Sequence, residues 1–388
     1  MRGVLDEDQP YLKSVVLHQY LFGYELPDTV MLLTLSGDVH VLATRKKCDF
    51  LEPAVEASPD IRGNLTLHVR QRNKADGNAE NFEALLEVLR KSRPTDNGDK
   101  QKTLIGTLLK EVAANTDENG KSISAQWNSR LSSLDTCEVS AGLSMVLSIK
   151  DSTELDLLKK SSVLSNKLMK HGCVKKLESI IEESKAISHE GFASLVEQIV
   201  EDPSEINLKI PKDDVQACYF PVVQSGGQYD LRISAASSDA NLKHDIILVS
   251  LGARYKLYCS HISRTFLVDP PKSVSNNYET LLGMQEACVA AIQHGKPLKS
   301  VYKAAVQYLR ENRADHLVDK LPKNLGFCTG LEFRDSNLTL SPKNPATLRA
   351  GMVVALVCGF SNIELTDREK RETPKESDVR TNTHCPLW

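Results

Sequence analysis

Apolar and polar positions alternate at two periods along the chain, and the switches between them divide it. Residues 29–35, TVMLLTL, read as a strand. Ser36-Gly37-Asp38 supplies turn chemistry, and residues 39–43 return as a second strand. Residues 65–69 are a third candidate. Phe82, Leu85, Leu86 and Leu89 recur at helical spacing within residues 81–91, and the polar stretch 92–102 reads as a loop. These signals predict an α/β unit over residues 1–150. It has no phosphate loop, no GxGxxG and no nucleophile elbow.

Asp151 with Glu154 three residues on predicts a capped helix start, which places a domain boundary near Lys150. Leu157, Leu164 and Leu168 form one apolar stripe, and helical pattern with breaks runs to about Val200. Residues 215–236 read as extended. The stretch 244–269, HDIILVSLGARYKLYCSHISRTFLVD, reads as an apolar strand, a tight turn at Gly252-Ala253, an aromatic strand and a further strand. Ser250 and His261 lie eleven residues apart around that turn. The geometry would set them side by side at a cleft floor, a place suited to metal-binding carboxylates, and neither is one.

Two amphipathic helices follow. The first carries Tyr278, Leu281, Leu282, Val289 and Ile292 and is expected to end at His294-Gly295. The second carries Leu298, Val301, Tyr302, Ala305 and Leu309. Residues 323–344 are rich in glycine and turns, and 348–360 are expected as a buried strand. The chain turns charged and polar from Ser361, and residues 366–388 are expected as a disordered tail.

Composition narrows the class. Of 388 residues, 41% are hydrophobic and 26% charged, as in ordinary soluble globular domains. No apolar run approaches the roughly 20 residues that span a bilayer, so no membrane is implied. The N-terminal MRGVLDEDQPYLK lacks a signal-peptide pattern. A net charge of −3 leaves no broad basic footprint and so no strong direct nucleic-acid signature. Arg45-Lys46-Lys47 and Lys159-Lys160 are expected as solvated faces and Trp127 as core. The nine cysteines form no CxxC and point to a reducing compartment with mostly buried free thiols.

Five segments carry a resemblance: LFGYELPDT (21–29), QSGGQYDLRIS (224–234), YCSHISRTFLVDP (258–270), KNLGFCTGLEFRDSNLTLSPKN (323–344) and LRAGMVVALVCGFSNIEL (348–365). Together they resemble the aminopeptidase P, prolidase and creatinase group. More closely, they resemble the N-terminal, peptidase-like domain of the FACT histone chaperone's large subunit. The resemblance implies an α/β N-terminal lobe over 1–150 and an α+β pita-bread (creatinase/aminopeptidase-like) C-terminal lobe over 151–365. It implies a nuclear, chromatin-bound role in nucleosome reorganisation during transcription, replication and repair. Core histones and an HMG-box partner subunit would be its partners, the latter through regions outside this chain, with replication or transcription proteins as further candidates. Against the family, the chain starts inside the N-terminal lobe and stops before the last strand, and is expected to be a fragment, an isoform or an incomplete gene model.

Active members of the wider group hold two divalent ions with two aspartates, a histidine and two glutamates, which polarise the scissile carbonyl and generate the hydroxide nucleophile. Carried over on the resemblance, the first aspartate position is Ser250 and the second is His261. The histidine position is Phe327 and the first glutamate position is Val357. The last glutamate has no counterpart, and a substrate-contacting histidine would fall near Ile233. The expectation is a dead metal site, no cofactor and no catalytic residue. A substitute zinc site from His261 with Cys259 and Cys328 or Cys358 is the weaker alternative, because period-two alternation turns the strand neighbours of an inward position outward. Arg264 and Thr265 are expected as structural, Glu332 and Arg334 as solvent-facing charges. Three functions compete: a histone-binding module, an inert protein–protein scaffold, and a metal-dependent proline-directed aminopeptidase.

Overall fold

The computed structural model describes residues 11–57, 66–92, 104–114, 122–227, 229–232, 235–364 and 384–387. The chain divides into two compact units, Met1–Leu143 and Ser144–Trp388.

In the first unit, helix α1 (Lys13–Phe22) precedes strands β1 (Val30–Leu33) and β2 (Asp38–Ala43), helix α2 (Arg45–Ala57), strand β3 (Thr66–Gln71) and helix α3 (Ala79–Lys91). β1 and β2 pair antiparallel about Gly37, whose φ of 92° is a conformation that glycine adopts without strain. β2 then pairs with β3 in parallel, which the intervening α2 permits by crossing over the sheet. The predicted strands and helix therefore form within two residues of their expected ends. The loop expected at 92–102 lies almost wholly outside the described residues. A second small layer holds β4 (Ile105–Thr107) parallel to β5 (Thr136–Glu138), with helices α4 (Leu109–Ala114) and α5 (Ile123–Leu131) between them. Trp127 on α5 is core: it is buried and its ring lies 5.7 Å from Phe82.

Helix α6 (Ser140–Ser148) crosses the division between the units, which falls ahead of the expected boundary at Lys150. The signal there marks a helix start. Asp151 accepts the Glu154 N–H at 2.8 Å while its own N–H donates to the Glu154 carboxylate at 3.0 Å, a capping box opening α7 (Ser152–Lys167). The helix continues through a π-helical stretch, Leu168–Cys173, into α8 (Val174–Glu182), and α9 (His189–Glu201) follows.

The central sheet of the second unit is built on β8 (Ile246–Tyr255) and β9 (Tyr258–Leu267), a ten-residue hairpin. Both β6 (Val215–Ala217) and β7 (Val222–Gln224) pair antiparallel along the other edge of β8. α8 and α9 pack apolar side chains against this sheet, with Phe192, Val196, Ile247, Val249 and Leu251 almost fully buried. A second core gathers α10 (Lys272–Ala291) and α11 (Lys299–Glu311) with residues 325–363. α10 ends before the expected His294-Gly295. Gly295, at φ 80°, instead sends its N–H to the Leu348 carbonyl.

Two expectations fail here. Gly252-Ala253 is not a turn: it lies inside β8, and the reversal falls at Lys256-Leu257, both at positive φ. Residues 348–360 do not form one buried strand. They give a turn, then β11 (Val354–Leu356) paired with β10 (Gly326–Cys328), then β12 (Phe360–Glu364), because glycines at 351 and 359 interrupt the apolar run. The tail expected over 366–388 lies outside the described residues except for β13 (His384–Leu387), which pairs with β12.

Candidate functional site

The register of the hairpin decides what meets what. Ser250 faces Ser263 and Gly252 faces His261, so Ser250 and His261 are diagonal neighbours and not a direct cross-strand pair. What joins them is a side chain from outside the hairpin. Tyr219, between β6 and β7, puts its hydroxyl 2.7 Å from Ser250 Oγ and 2.7 Å from His261 Nδ1. Ser263 Oγ closes the figure at 3.0 Å from both Ser250 Oγ and His261 Nε2.

One direction of bonding satisfies all four groups. Ser250 donates to Tyr219, Tyr219 to His261 Nδ1, the Nε2–H of His261 to Ser263, and Ser263 to Ser250. Each group gives one proton and receives one, which fits a neutral imidazole with its proton on Nε2. Burial holds the His261 pKa down to about 4 and pushes the Tyr219 phenol well above its usual range. Tyr219 and His261 are surrounded by protein yet keep some solvent-accessible surface. Removing one member leaves two partners unmatched. Tyr219→Phe is expected to cost about 1–3 kcal/mol of folding stability, read by denaturant unfolding, with no change in backbone circular dichroism.

Gly252 takes its meaning from this ring. A Cβ there would stand 2.8 Å from Tyr219 Cε1, 2.9 Å from Cys218 Cβ and 3.1 Å from the Ser260 carbonyl oxygen. The glycine admits Tyr219 to the sheet face; it does not turn the chain.

Aromatic side chains pack around this ring of hydrogen bonds. Phe333 lies 5.1 Å from Tyr219, 5.8 Å from His261 and 5.5 Å from Phe327, ring centre to ring centre. Phe327 is buried at 6.5 Å from His261. Arg334 is exposed, with its guanidinium 5.7 Å over the Phe327 ring. Val357 is half-buried and extends the β10–β11 ladder through its N–H to the Leu325 carbonyl at 2.9 Å. The fold thus gathers Ser250, His261 and Phe327 into one cluster, with Val357 on the adjoining ladder. Ile233 lies outside the described residues. Tyr219, Ser263 and Phe333 were missed from the sequence, where an isolated aromatic or serine carries no periodic signal.

The substitute zinc set does not assemble. Cys259 is paired with Arg254 across the hairpin and its thiol faces the Leu331 carbonyl. Cys358 lies with Cys288 in the α10–α11 core. Among the described residues no group of three or more histidine, cysteine or carboxylate side chains is placed to hold a metal ion. Both nitrogens of His261 are engaged and Ser250 offers no carboxylate, so the donor chemistry does not fit a pair of dications. The basic runs also have local uses: Lys47 Nζ donates to the Pro27 carbonyl, and Lys159 lies 3.6 Å from Asp156. Arg264 is exposed and donates to the Ser263 carbonyl at 2.8 Å, while Thr265 is buried.

The sequence pattern of metallopeptidase family M24 matches residues 158–381, and that of the FACT complex subunit SPT16 N-terminal lobe domain matches residues 1–142. FACT complex subunit SPT16 of Arabidopsis thaliana is 34% identical over 383 residues, covering 97% of this chain and 34% of that protein. The chain spans about a third of the length of the curated relatives it matches. The N-terminal domain of FACT complex subunit SPT16 from chickpea (Cicer arietinum) superposes with a TM-score of 0.85 at 31% identity, covering 100% of this chain and 85% of that one. An X-Pro aminopeptidase from Thermotoga maritima superposes at 0.62 with 16% identity, covering 90% and 85%, a likeness of fold alone. An α/β lobe followed in the chain by a pita-bread lobe is therefore the architecture, and the chain belongs to the FACT SPT16 family, whose N-terminal, peptidase-like domain it matches.

Proposed function

We propose that this chain is a non-catalytic, histone-binding module of a FACT-type histone chaperone, acting in nucleosome reorganisation during transcription, replication and repair. The observation that carries this reading is the closed ring of Tyr219, Ser250, Ser263 and His261. At the positions where the peptidases keep ion-binding acids, this chain has groups that satisfy one another, backed by Phe327 and Phe333. Such a cleft floor supports apolar and hydrogen-bonded contacts and supplies no Lewis acid or activated water. The chromatin role rests on the named relatives, with core histones and an HMG-box subunit as partners and the nucleus as location.

Two measurements test it. Purified protein titrated with core-histone tetramer is expected to bind saturably, and more weakly as salt rises, because exposed charge pairs are screened over about 8 Å at physiological ionic strength. Absence of saturable binding would leave an inert scaffold. Elemental analysis after dialysis against manganese or zinc is expected to find no stoichiometric metal and no turnover of Xaa-Pro peptides. About two ions per chain would restore the peptidase reading.

A further inference from the structure

The net charge of −3 conceals an uneven distribution. From Ala287 to Arg310, and again from Ser336 to Ile363, the sequence has no aspartate or glutamate. The cations of these two stretches are Lys296, Lys299, Lys303, Arg310, Lys343 and Arg349. The fold binds the two stretches together. Gly295 N–H donates to Leu348 O and Leu348 N–H to Lys296 O, both at 2.8 Å. Leu298 N–H donates to Ala346 O at 2.8 Å, and Lys299 N–H to Asn344 O at 3.0 Å.

Five of the six cations are exposed and Lys299 is half-buried. Among the described residues none of them is in an ion pair. Lys299, Lys303 and Arg310 stand at helix offsets that keep them within one narrow stripe of α11, about 16 Å long. The amino end of α11 adds its positive dipole next to Lys296 and Lys299, its first N–H groups being bonded to carbonyls of the chain. The nearest acid on the helix is Glu311, which accepts from Gln307.

We propose that this ridge binds the phosphate backbone of duplex nucleic acid without reading its sequence. Unpaired cations in a row are a sufficient device for that, since counterion release supplies the affinity. The setting disfavours an acidic protein segment, whose docking needs buried apolar anchors. The exposed residues among and beside the cations include Gly295, Gln307, Pro342, Pro345, Thr347 and Ala350, and Val289 on α10 is the one large apolar side chain exposed among the described residues of the two stretches. Single strands are disfavoured as well, because Tyr302 and Tyr308 pack against the core and leave no stacking platform. None of these cations belongs to the Tyr219 ring, and the proposal does not depend on the histone reading.

The test is fluorescence anisotropy of the whole chain with a labelled 30-base-pair DNA duplex of arbitrary sequence. With about five phosphate contacts, affinity is expected to fall about 500-fold between 50 and 200 mM salt. The variant Lys296→Gln/Lys303→Gln/Arg349→Gln is expected to reduce the log–log salt slope by about 3, with thermal unfolding unchanged. Lys159→Gln/Lys160→Gln on α7 is the control and is expected to leave the slope alone. The proposal is overturned by a slope near zero, by an unchanged triple variant, or by tighter binding of polyglutamate or single-stranded DNA of equal charge.

Discussion

Replacing Gly326 by alanine is expected to unfold the β10–β11 pair and cost at least about 3 kcal/mol, among the largest losses from a single methyl group in this chain. The reason is local and rigid. Gly326 sits at φ 133°, where side chains are strained whatever the space around them. A Cβ there would also lie 2.1 Å from the Ala355 carbonyl oxygen and 3.1 Å from Leu356 Cα. These are backbone atoms of the partner strand, so no rotamer change relieves the clash. Gly326 lies opposite Leu356, with its C=O accepting from the Leu340 N–H, in the register that puts Phe327 opposite Ala355 and brings its ring toward His261 and Phe333. Loss of the pair therefore removes this aromatic packing together with stability. Denaturant unfolding with tyrosine and tryptophan fluorescence, beside Gly330→Ala, checks it. At Gly330 the blocking atoms are the far end of the Lys150 side chain, which moves away, and a cost below about 1 kcal/mol is expected. Equal costs at 326 and 330 would show that the strand pair tolerates the methyl.

How much of this was legible in the sequence depends on the range of the interaction. The β1–β2 hairpin, α3 and the Asp151–Glu154 cap are set by neighbours within a few residues, and they form where the pattern puts them. The hairpin turn at Lys256-Leu257 was not legible. Neither residue is a customary left-handed one, and Gly252-Ala253 nearby offered a stronger local signal. Only a long-range fact, the approach of Tyr219, explains that glycine. The same holds for the cleft. Ser250, His261 and Phe327 were found by resemblance to a motif. Tyr219 and Phe333, which connect them, come from segments 31 residues before and 83 residues after Ser250 and are visible only once the chain is folded. The six-cation ridge was hidden for a related reason: charge summed over a chain says nothing about which acid-free stretches the fold sets side by side.

Acid is expected to destabilise the first unit well before its carboxylates titrate, through His18. This side chain is fully buried on α1, and neither ring nitrogen has a hydrogen-bond partner among the described residues. Burial, with the positive charge of Lys47 adding to it, lowers its pKa from 6.5 to about 3. The folded value lies below the unfolded one, so below pH 6.5 the unfolded chain takes up the proton that the folded chain refuses. The stability present above pH 6.5 is lost progressively as pH falls toward 3. At about 1.36 kcal/mol per pH unit the loss is about 2 kcal/mol at pH 5 and about 4 kcal/mol at pH 3.5. His261 acts on the second unit with the same sign over pH 6.5 to about 4, by a smaller amount because its site keeps some contact with water. His18→Leu removes both the titration and two unsatisfied nitrogens. It is expected to raise stability by about 1–3 kcal/mol at pH 7.5 and to flatten the first unit's decline between pH 6.5 and 5. Urea unfolding at pH 7.5, 6 and 5, wild type beside His18→Leu, measures both. A first-unit transition with the same acid slope in the two proteins would assign the loss to other groups.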